Sequence, residues 1–300
     1  MEAPSAMNIA VVVNTKAGGG RAKRLGESIA RELTSRSMKF TQVRESSSAQ
    51  TLDVLERVHT KDPFSGVISV GGDGLAHLLF PFVITHHLPI FVAPGGTGND
   101  FSRSTGTFGL SAVDIVNQVA AHQPRAIDMG IIEHEGKEIW FGQVLSTGFD
   151  SLVNERANSY RFLRGKIKYL VAIVRELPFF VPRTYRVTVD GNSVETGSML
   201  VAIANGKSYG GGMLVCPDAN FADGLFDVLL LKPIPVREFL RVFPRVFKGT
   251  HISHPAVEIR RCTQITLESK AVAYADGERI GSLPISARIV PRAMLTWLPQ

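Results

Sequence analysis

Two glycine-rich stretches, each with an acid, are the residues best placed by type and spacing to do chemistry. One is Gly71-Gly72-Asp73-Gly74 and the other is Pro94-Gly95-Gly96-Thr97-Gly98-Asn99-Asp100. Each follows a short apolar run, residues 67–70 and 90–93. Glycine lets the backbone come close to a ligand and aim N–H groups at anionic oxygens. In open α/β sheets, ligands bind at the carboxyl ends of the strands. A carboxylate beside such a loop can hold Mg²⁺ against phosphates. The site indicated is one for phosphates and a divalent cation. Thr97 can donate its hydroxyl to a phosphate, and Lys16 and Arg103 can add positive charge. Plainer readings stand beside these. Asp100 can cap a helix. Asp223-Gly224 and Asp276-Gly277-Glu278 can be turns. Lys16 can be a solvated loop residue, and His77 a structural one on a helix face.

The elements that must hold these loops follow from the hydrophobic pattern. Residues 9–13 read as a strand, followed by the loop Asn14-Thr15-Lys16-Ala17-Gly18-Gly19-Gly20 and a helix over 21–33. A second strand is expected at 38–43. Ser46-Ser47-Ser48 offers an N-cap for a helix reaching about 59. Strand 67–70, helix 75–85 and strand 90–93 complete a β-α-β-α alternation, which predicts a parallel α/β domain. Three loops then gather at one sheet edge: 14–20, 71–74 and 95–100. Neither G-x-x-x-x-G-K-[ST] nor G-x-G-x-x-G is present, so ordinary P-loop and Rossmann mechanics do not apply.

After about residue 125 the pattern becomes hairpin-rich. Strands at 127–133 and 137–145 flank His134-Glu135-Gly136, and strands at 185–189 and 198–204 flank Asp190-Gly191-Asn192. Further strands are expected at 225–231, 256–260, 264–267, 272–274 and 285–290, with helices over 154–175 and 236–247. Many short strands at close spacing indicate a β-sandwich. The expected domains are 1–126, with 291–300 returning to it, and 127–290, giving a two-domain α+β chain.

Composition narrows the function classes. The 300 residues are 44% hydrophobic and 20% charged, enough for real cores and unlike a disordered chain. A net charge of +6 favours anionic partners. Cys216 and Cys262 lie far apart without metal spacing, which fits a reducing cytosol. No apolar run approaches the length of a membrane span or a signal peptide, and residues 1–6 read as a tail.

The ordered set of motifs resembles the diacylglycerol kinase catalytic superfamily, which includes sphingosine, ceramide and bacterial lipid kinases. It comprises Gly71-Gly72-Asp73-Gly74, Pro94 to Arg103, Ile127-Asp128-Met129-Gly130 and Gly148-Phe149-Asp150. Gly210-Gly211-Gly212 with Pro217-x-Ala219, Asp223-Gly224-Leu225-Phe226-Asp227 and Asp276-Gly277-Glu278 complete it. The resemblance covers nearly the whole chain. It implies an N-terminal α/β nucleotide-binding domain of NAD kinase/phosphofructokinase-like type and a C-terminal β-sandwich for the lipid substrate. It implies ATP on Asn14, Thr15, Lys16, Ala17, Gly18, Ser46, Gly71, Gly72, Asp73, Gly74, His77, Gly96, Thr97, Asn99 and Asp100. It also implies Mg²⁺ near Asn220, Asp223 and Leu225. Asp73, Asp276 and Glu278 are the catalytic candidates. Glu278 matches the proton acceptor proposed in bacterial members, whereas sphingosine kinases give that role to the position of Asp73. The chain departs from many bacterial members where Leu75-Ala76-His77-Leu78 replaces T-x-N-E, which removes a metal or nucleotide contact.

The resemblance implies an ATP-dependent lipid kinase. Two other readings remain, an NAD kinase-like soluble enzyme and a non-catalytic nucleotide- or lipid-binding regulator. The expected partner is a lipid at a membrane surface, with no nucleic acid; a homodimer is left open. The expected location is cytoplasmic, peripheral to the inner membrane face. The stretch 156–186 carries Arg156, Arg161, Arg164, Lys166, Lys168, Arg175, Arg183 and Arg186, with Glu176 its only acid. Aromatic and aliphatic residues interleave with them, which suits an interfacial helix and loop, or else an ordinary amphipathic helix with a solvated basic face.

Overall fold

The computed structural model describes residues 7–44, 47–121, 123–160 and 166–299, with side chains described throughout except at 166–168 and 170. It divides into two units, Met1–Ile127 with Arg292–Gln300, and Asp128–Pro291.

The first unit is an α/β layer. It contains β1 (Asn8–Val13), α1 (Arg21–Ser35), β2 (Lys39–Val43), α2 (Ser48–Lys61), β3 (Gly66–Gly71), α3 (Asp73–Thr85), β4 (Ile90–Pro94), α4 (Asp100–Ser104) and α5 (Ala112–Ala121). The strands are parallel in the order β2-β1-β3-β4. β1 and β3 are buried along their whole length, as strands covered on both faces must be. Ile9, Val11, Ile68, Val70 and Phe91 pack with Ile29 and Leu33 of α1 and Val116 and Val119 of α5. Trp297 joins this core, and a Cβ on Gly66 would lie 2.4 Å from its ring. Thr296 pairs with Ile90, so the C-terminal residues complete this unit. The cap of α2 is Ser47, whose side chain accepts from Gln50 N at 3.3 Å. Ser46, expected near ATP, lies outside the described residues. α3 begins two residues earlier than the pattern predicts, on Asp73 itself.

The second unit is a β-sandwich. β5 (Arg125–His134) leads into it, followed by β6 (Lys137–Phe141), β7 (Val144–Gly148), α6 (Phe149–Ser159), α7 (Lys166–Glu176), β8 (Arg183–Val189), β9 (Asn192–Ser198) and β10 (Leu200–Ala204). Then come β11 (Phe226–Leu231), α8 (Val236–Val242), β12 (Val257–Cys262), β13 (Gln264–Glu268), β14 (Val272–Ala275), β15 (Glu278–Ser282) and β16 (Ile285–Thr296). One sheet runs β12-β11-β10-β7-β14-β15, and β16-β13-β8-β9 are neighbours in the other. Alternation builds two cores. Val201, Ile203, Val228 and Leu230 face Tyr185, Val187, Ile265 and Ile285, whereas Ala202, Leu229 and Leu231 face Phe149, Val153 and Phe239. Cys216 and Cys262 are both free and buried.

Three expectations are corrected here. The strand expected at 137–145 is two strands, β6 and β7. The helix expected at 154–175 starts at Phe149 and is two helices, α6 and α7, with 161–165 outside the described residues. Asp190-Gly191, both at positive φ, close a two-residue hairpin onto β9, which the hydrophobic pattern misses. Its sequence N-S-V-E-T-G-S has little apolar content because it is an edge strand, mostly exposed.

Candidate active site

The three glycine loops of the first unit meet. Asn14 N donates to Val70 O at 3.0 Å and Gly95 N to Gly71 O at 2.8 Å, so each loop leaves its strand already tied to the next. A Cβ on Gly96 would lie 2.4 Å from Gly72 Cα, and one on Gly18 2.2 Å from Gly95 O. Only glycine permits such approaches, and Gly18 also sits at φ +58. Arg21 joins the loops from α1, with Nη2 donating to Gly96 O at 2.6 Å and Nε to Gly18 O at 3.2 Å.

Asn99 fixes the 95–99 turn. It adopts the left-handed conformation (φ 56) and its side chain both accepts from Gly96 N at 2.8 Å and donates to Gly96 O at 3.0 Å. Asp100 follows, buried, in the first turn of α4. Asp73 Oδ1 accepts from Phe101 N at 3.1 Å, which joins the second loop to the third. Gly72 provides no side-chain cap for the 13-residue α3, whose positive dipole end lies beside Asp73, with Leu75 N and Ala76 N donating to Gly72 O at 3.0 and 3.3 Å. Lys16, Gly74 and Thr97 are exposed on these loops, and Asn14 is exposed with its Oδ1 accepting from Lys16 N at 3.2 Å. Thr15 and Ala17 are half-buried between them. His77 is half-buried on α3, its ring centroid 6.4 Å from that of Phe80. Arg103 donates to Gly98 O at 3.2 Å and lies 3.7 Å over the Phe108 ring, so a cation is fixed beside the third loop.

In the second unit, Asp276-Gly277 form the turn between β14 and β15, at φ 51 and 88. The Asp276 carboxylate accepts from Gly142 N at 2.7 Å, Gln143 N at 2.8 Å and Val144 N at 3.3 Å. It is thus engaged in holding the hairpin to the start of β7, while Glu278 starts β15 with an exposed side chain. The Asp276 carboxylate is taken up by the turn, and Glu278 is the exposed carboxylate of the pair.

Asn220, Asp223 and Leu225 share one turn, but their groups already have partners. Asn220 Oδ1 accepts from Ala222 N at 3.1 Å and Asp223 Oδ1 from Leu225 N at 3.1 Å. Asp223 Oδ2 is bonded to Arg261 Nη2, and Arg261 Nε lies 3.7 Å from Asp227 Oδ1. The guanidinium supplies the positive charge a divalent ion would bring. Among the described residues, no group of three or more His, Cys, Asp or Glu is placed to hold a metal. In this turn the Asp223 carboxylate is paired with Arg261.

Asp150 is the residue whose role the sequence leaves unread. Burial pushes its carboxyl up to about 6, against opposing hydrogen bonds from Ser146 and Ser151. Oδ1 accepts from Ser151 N at 2.8 Å, and Oδ2 is buried with no partner. The unfolded carboxyl titrates near 3.8, so the native state binds the extra proton between there and 6. Stability therefore falls as pH rises through that window and stays lowered above it. Asp150→Asn is expected to raise stability at neutral pH by about 2–3 kcal/mol, and to change it little near pH 4. Thermal melts of both proteins across the window check this; a stability difference between Asn and wild type that does not widen as pH rises through it would refute the assignment.

The geometry agrees with what the chain is similar to. Residues 8–132 match the model of the diacylglycerol kinase catalytic domain, and residues 143–297 match that of the YegS C-terminal NAD kinase beta sandwich-like domain. A diacylglycerol kinase of Mycobacterium tuberculosis is 35% identical over 237 residues, 78% of this chain and 77% of that one. A diacylglycerol kinase of Bacillus subtilis is 28% identical over 232 residues, 74% and 73% of the two chains. A crystal structure of a diacylglycerol kinase from Bacillus anthracis superposes with a TM-score of 0.72 at 16% identity, covering 98% of this chain and 97% of that one, which bears on the fold alone. With one family model over the glycine-loop unit and the other over the sandwich, the chain belongs to the diacylglycerol kinase catalytic superfamily.

Proposed function

We propose that the protein is an ATP-dependent lipid kinase that transfers the γ-phosphate to the hydroxyl of diacylglycerol or a related lipid. The observation that carries this is the convergence of the three glycine loops on the uncapped N-terminus of α3, with Asp73 at its first position. Backbone N–H groups there suit phosphate oxygens, and Lys16, Thr97 and Arg103 add donors and charge around them. In the reaction the lipid oxygen bonds to the γ-phosphorus, the bond to the bridging oxygen breaks, and ADP leaves. The hydroxyl proton passes to a carboxylate. Asp73 accepts from Phe101 N in the first turn of α3, which holds its carboxylate at the phosphate end. Glu278 is the proposed proton acceptor, placed by Asp276 through the turn.

Mg²⁺ brought with ATP would offset the phosphate charge, with Asp73 and Asp100 the acids nearest the loops. The partner proposed is a bilayer. Among the described residues no helix is long and apolar enough to cross a membrane. α7 exposes Tyr169, Val171 and Val174, and Phe179 and Val181 follow, also exposed. Glu176, the one acid of that stretch, is turned onto Arg156. Arg161 and Arg164, and the side chains of Lys166 and Lys168, lie outside the described residues. The proposed location is the cytoplasmic face of the membrane. Radiolabelled ATP with a panel of diacylglycerol, ceramide, sphingoid base, phosphatidylglycerol, polyprenol and NAD, resolved by chromatography, tests the proposal. A labelled lipid is expected; label in NADP, or in no product, would overturn it.

A further inference from the structure

We infer that residues 236–248 form a second docking surface for an anionic bilayer; the inference rests on the lipid kinase reading only for its substrate being held in a membrane. α8 runs directly into a 3-10 helix over Phe243–Lys248, and together they read V-R-E-F-L-R-V-F-P-R-V-F-K. One face is packed. Phe239, Val242 and Val246 are buried, and the Phe239 ring lies 5.3 Å from Phe149 and 5.6 Å from Phe243. The other face carries Val236, Arg237, Leu240, Arg241, Pro244, Phe247 and Lys248, all exposed. Leu240 is 52% and Phe247 48% exposed.

A helix packed on a core ordinarily turns a polar, mixed-charge face outward. Here the outward face alternates large apolar groups with cations, and the segment's acid stands at its flank with a side chain 41% exposed. The acid of the segment, Glu238, pairs with His254 at 3.1 Å. Arg245 is occupied too, donating to Thr250 O and to Ser253 Oγ at 2.7 Å. What remains outward is apolar and positive, the character of a helix lying in a headgroup layer. The segment is also continuous with the apolar exposure after α7. The Phe149 ring that packs on Phe239 packs on Phe180 at 5.2 Å, and Phe180 lies between Phe179, 83% exposed, and Val181, 76% exposed. A row of rings thus underlies both patches. A protein partner would more often meet a mixed-charge rim, and nucleic acid has no use for the aliphatic groups.

The test is sedimentation of the full chain with vesicles of phosphatidylcholine alone or of equal parts phosphatidylcholine and phosphatidylglycerol, without ATP. The wild type is expected to bind the anionic vesicles and to release with salt. Arg237→Gln with Arg241→Gln is expected to weaken binding roughly five-fold per charge. Leu240→Ser with Phe247→Ser is expected to weaken it further at high salt, where only apolar insertion persists. Lys137→Gln with Lys270→Gln, exposed cations elsewhere on the same unit, should leave it unchanged. All variants should keep the wild-type melting temperature and the turnover of detergent-dispersed lipid. Unchanged vesicle binding by both surface variants overturns the inference. So does a wild-type dimer in analytical ultracentrifugation that Leu240→Ser with Phe247→Ser dissolves, since the face would then belong to a second copy. Vesicle binding that depends on these residues without turnover of any lipid would support the surface and remove the kinase reading.

Discussion

Asp73→Asn is expected to lower phosphoryl transfer at least about a thousand-fold while leaving the fold intact. The substitution keeps size and keeps an Oδ1 acceptor, so the bond from Phe101 N, which ties the second glycine loop to α4, survives. What it removes is the negative charge at the first position of α3. A charge aimed at the reacting phosphate or its metal is worth several kcal/mol in the transition state. At about 1.4 kcal/mol per decade, that is three powers of ten or more. Nucleotide binding should change far less, because the backbone N–H groups of the loops are untouched. Turnover under saturating ATP, with a melt as control, is the measurement. Near-wild-type turnover would remove Asp73 from the chemistry. Asp73→Ala would be the weaker experiment, since it also releases Phe101 N and confounds charge with loop position.

Much of this arrangement is legible in the amino-acid sequence, and the reasons are physical. β1, β3 and β4 announce themselves because buried parallel strands are unbroken apolar runs, and each is followed by the glycines that a close backbone approach demands. That Gly72 and Gly96 nearly touch could be expected from loops on neighbouring parallel strands. What does not read from the sequence is partner choice. Asp223 and Asp276 stand in the same Asp-Gly wording, yet one is bonded to Arg261 and the other to three backbone amides. Arg261 is remote in sequence from Asp223 and comes beside it only because β12 pairs with β11. Asp150 is similar. Its motif is visible, but its raised pKa comes from burial, which tertiary packing alone confers. β9 escaped because an edge strand need not be apolar, and the outward face of α8 escaped because the pattern identifies a helix without saying which face is covered.

Asp276→Ala is expected to cost the second unit about 3–5 kcal/mol and to lower turnover with it. Three N–H groups, of Gly142, Gln143 and Val144, lose their acceptor at once, and bonds to a charged group are worth about 1.5–3 kcal/mol each when buried. Partial access of water to this turn brings the sum down to the stated range. In a unit of this size that is a fall of roughly 6–20 °C in melting temperature. Asn is a partial remedy: its Oδ1 can serve Gln143 and Val144, but its amide would face the Gly142 N–H donor to donor. The order of stability should be wild type, Asn, Ala. The turnover effect has a different origin. Asp276 and Gly277 together hold positive φ, and Glu278 takes its direction from that turn. Loosening it should reduce kcat while KM for ATP stays put, because the phosphate loops lie in the other unit. Glu278→Gln separates the two roles. It should keep the wild-type melt, since the exposed carboxylate carries no comparable bond, and lose turnover as a proton acceptor would. If Asp276→Ala melts like wild type, the three amide bonds do not hold the turn. If Glu278→Gln turns over like wild type, the proton goes elsewhere and Asp73 becomes the acceptor.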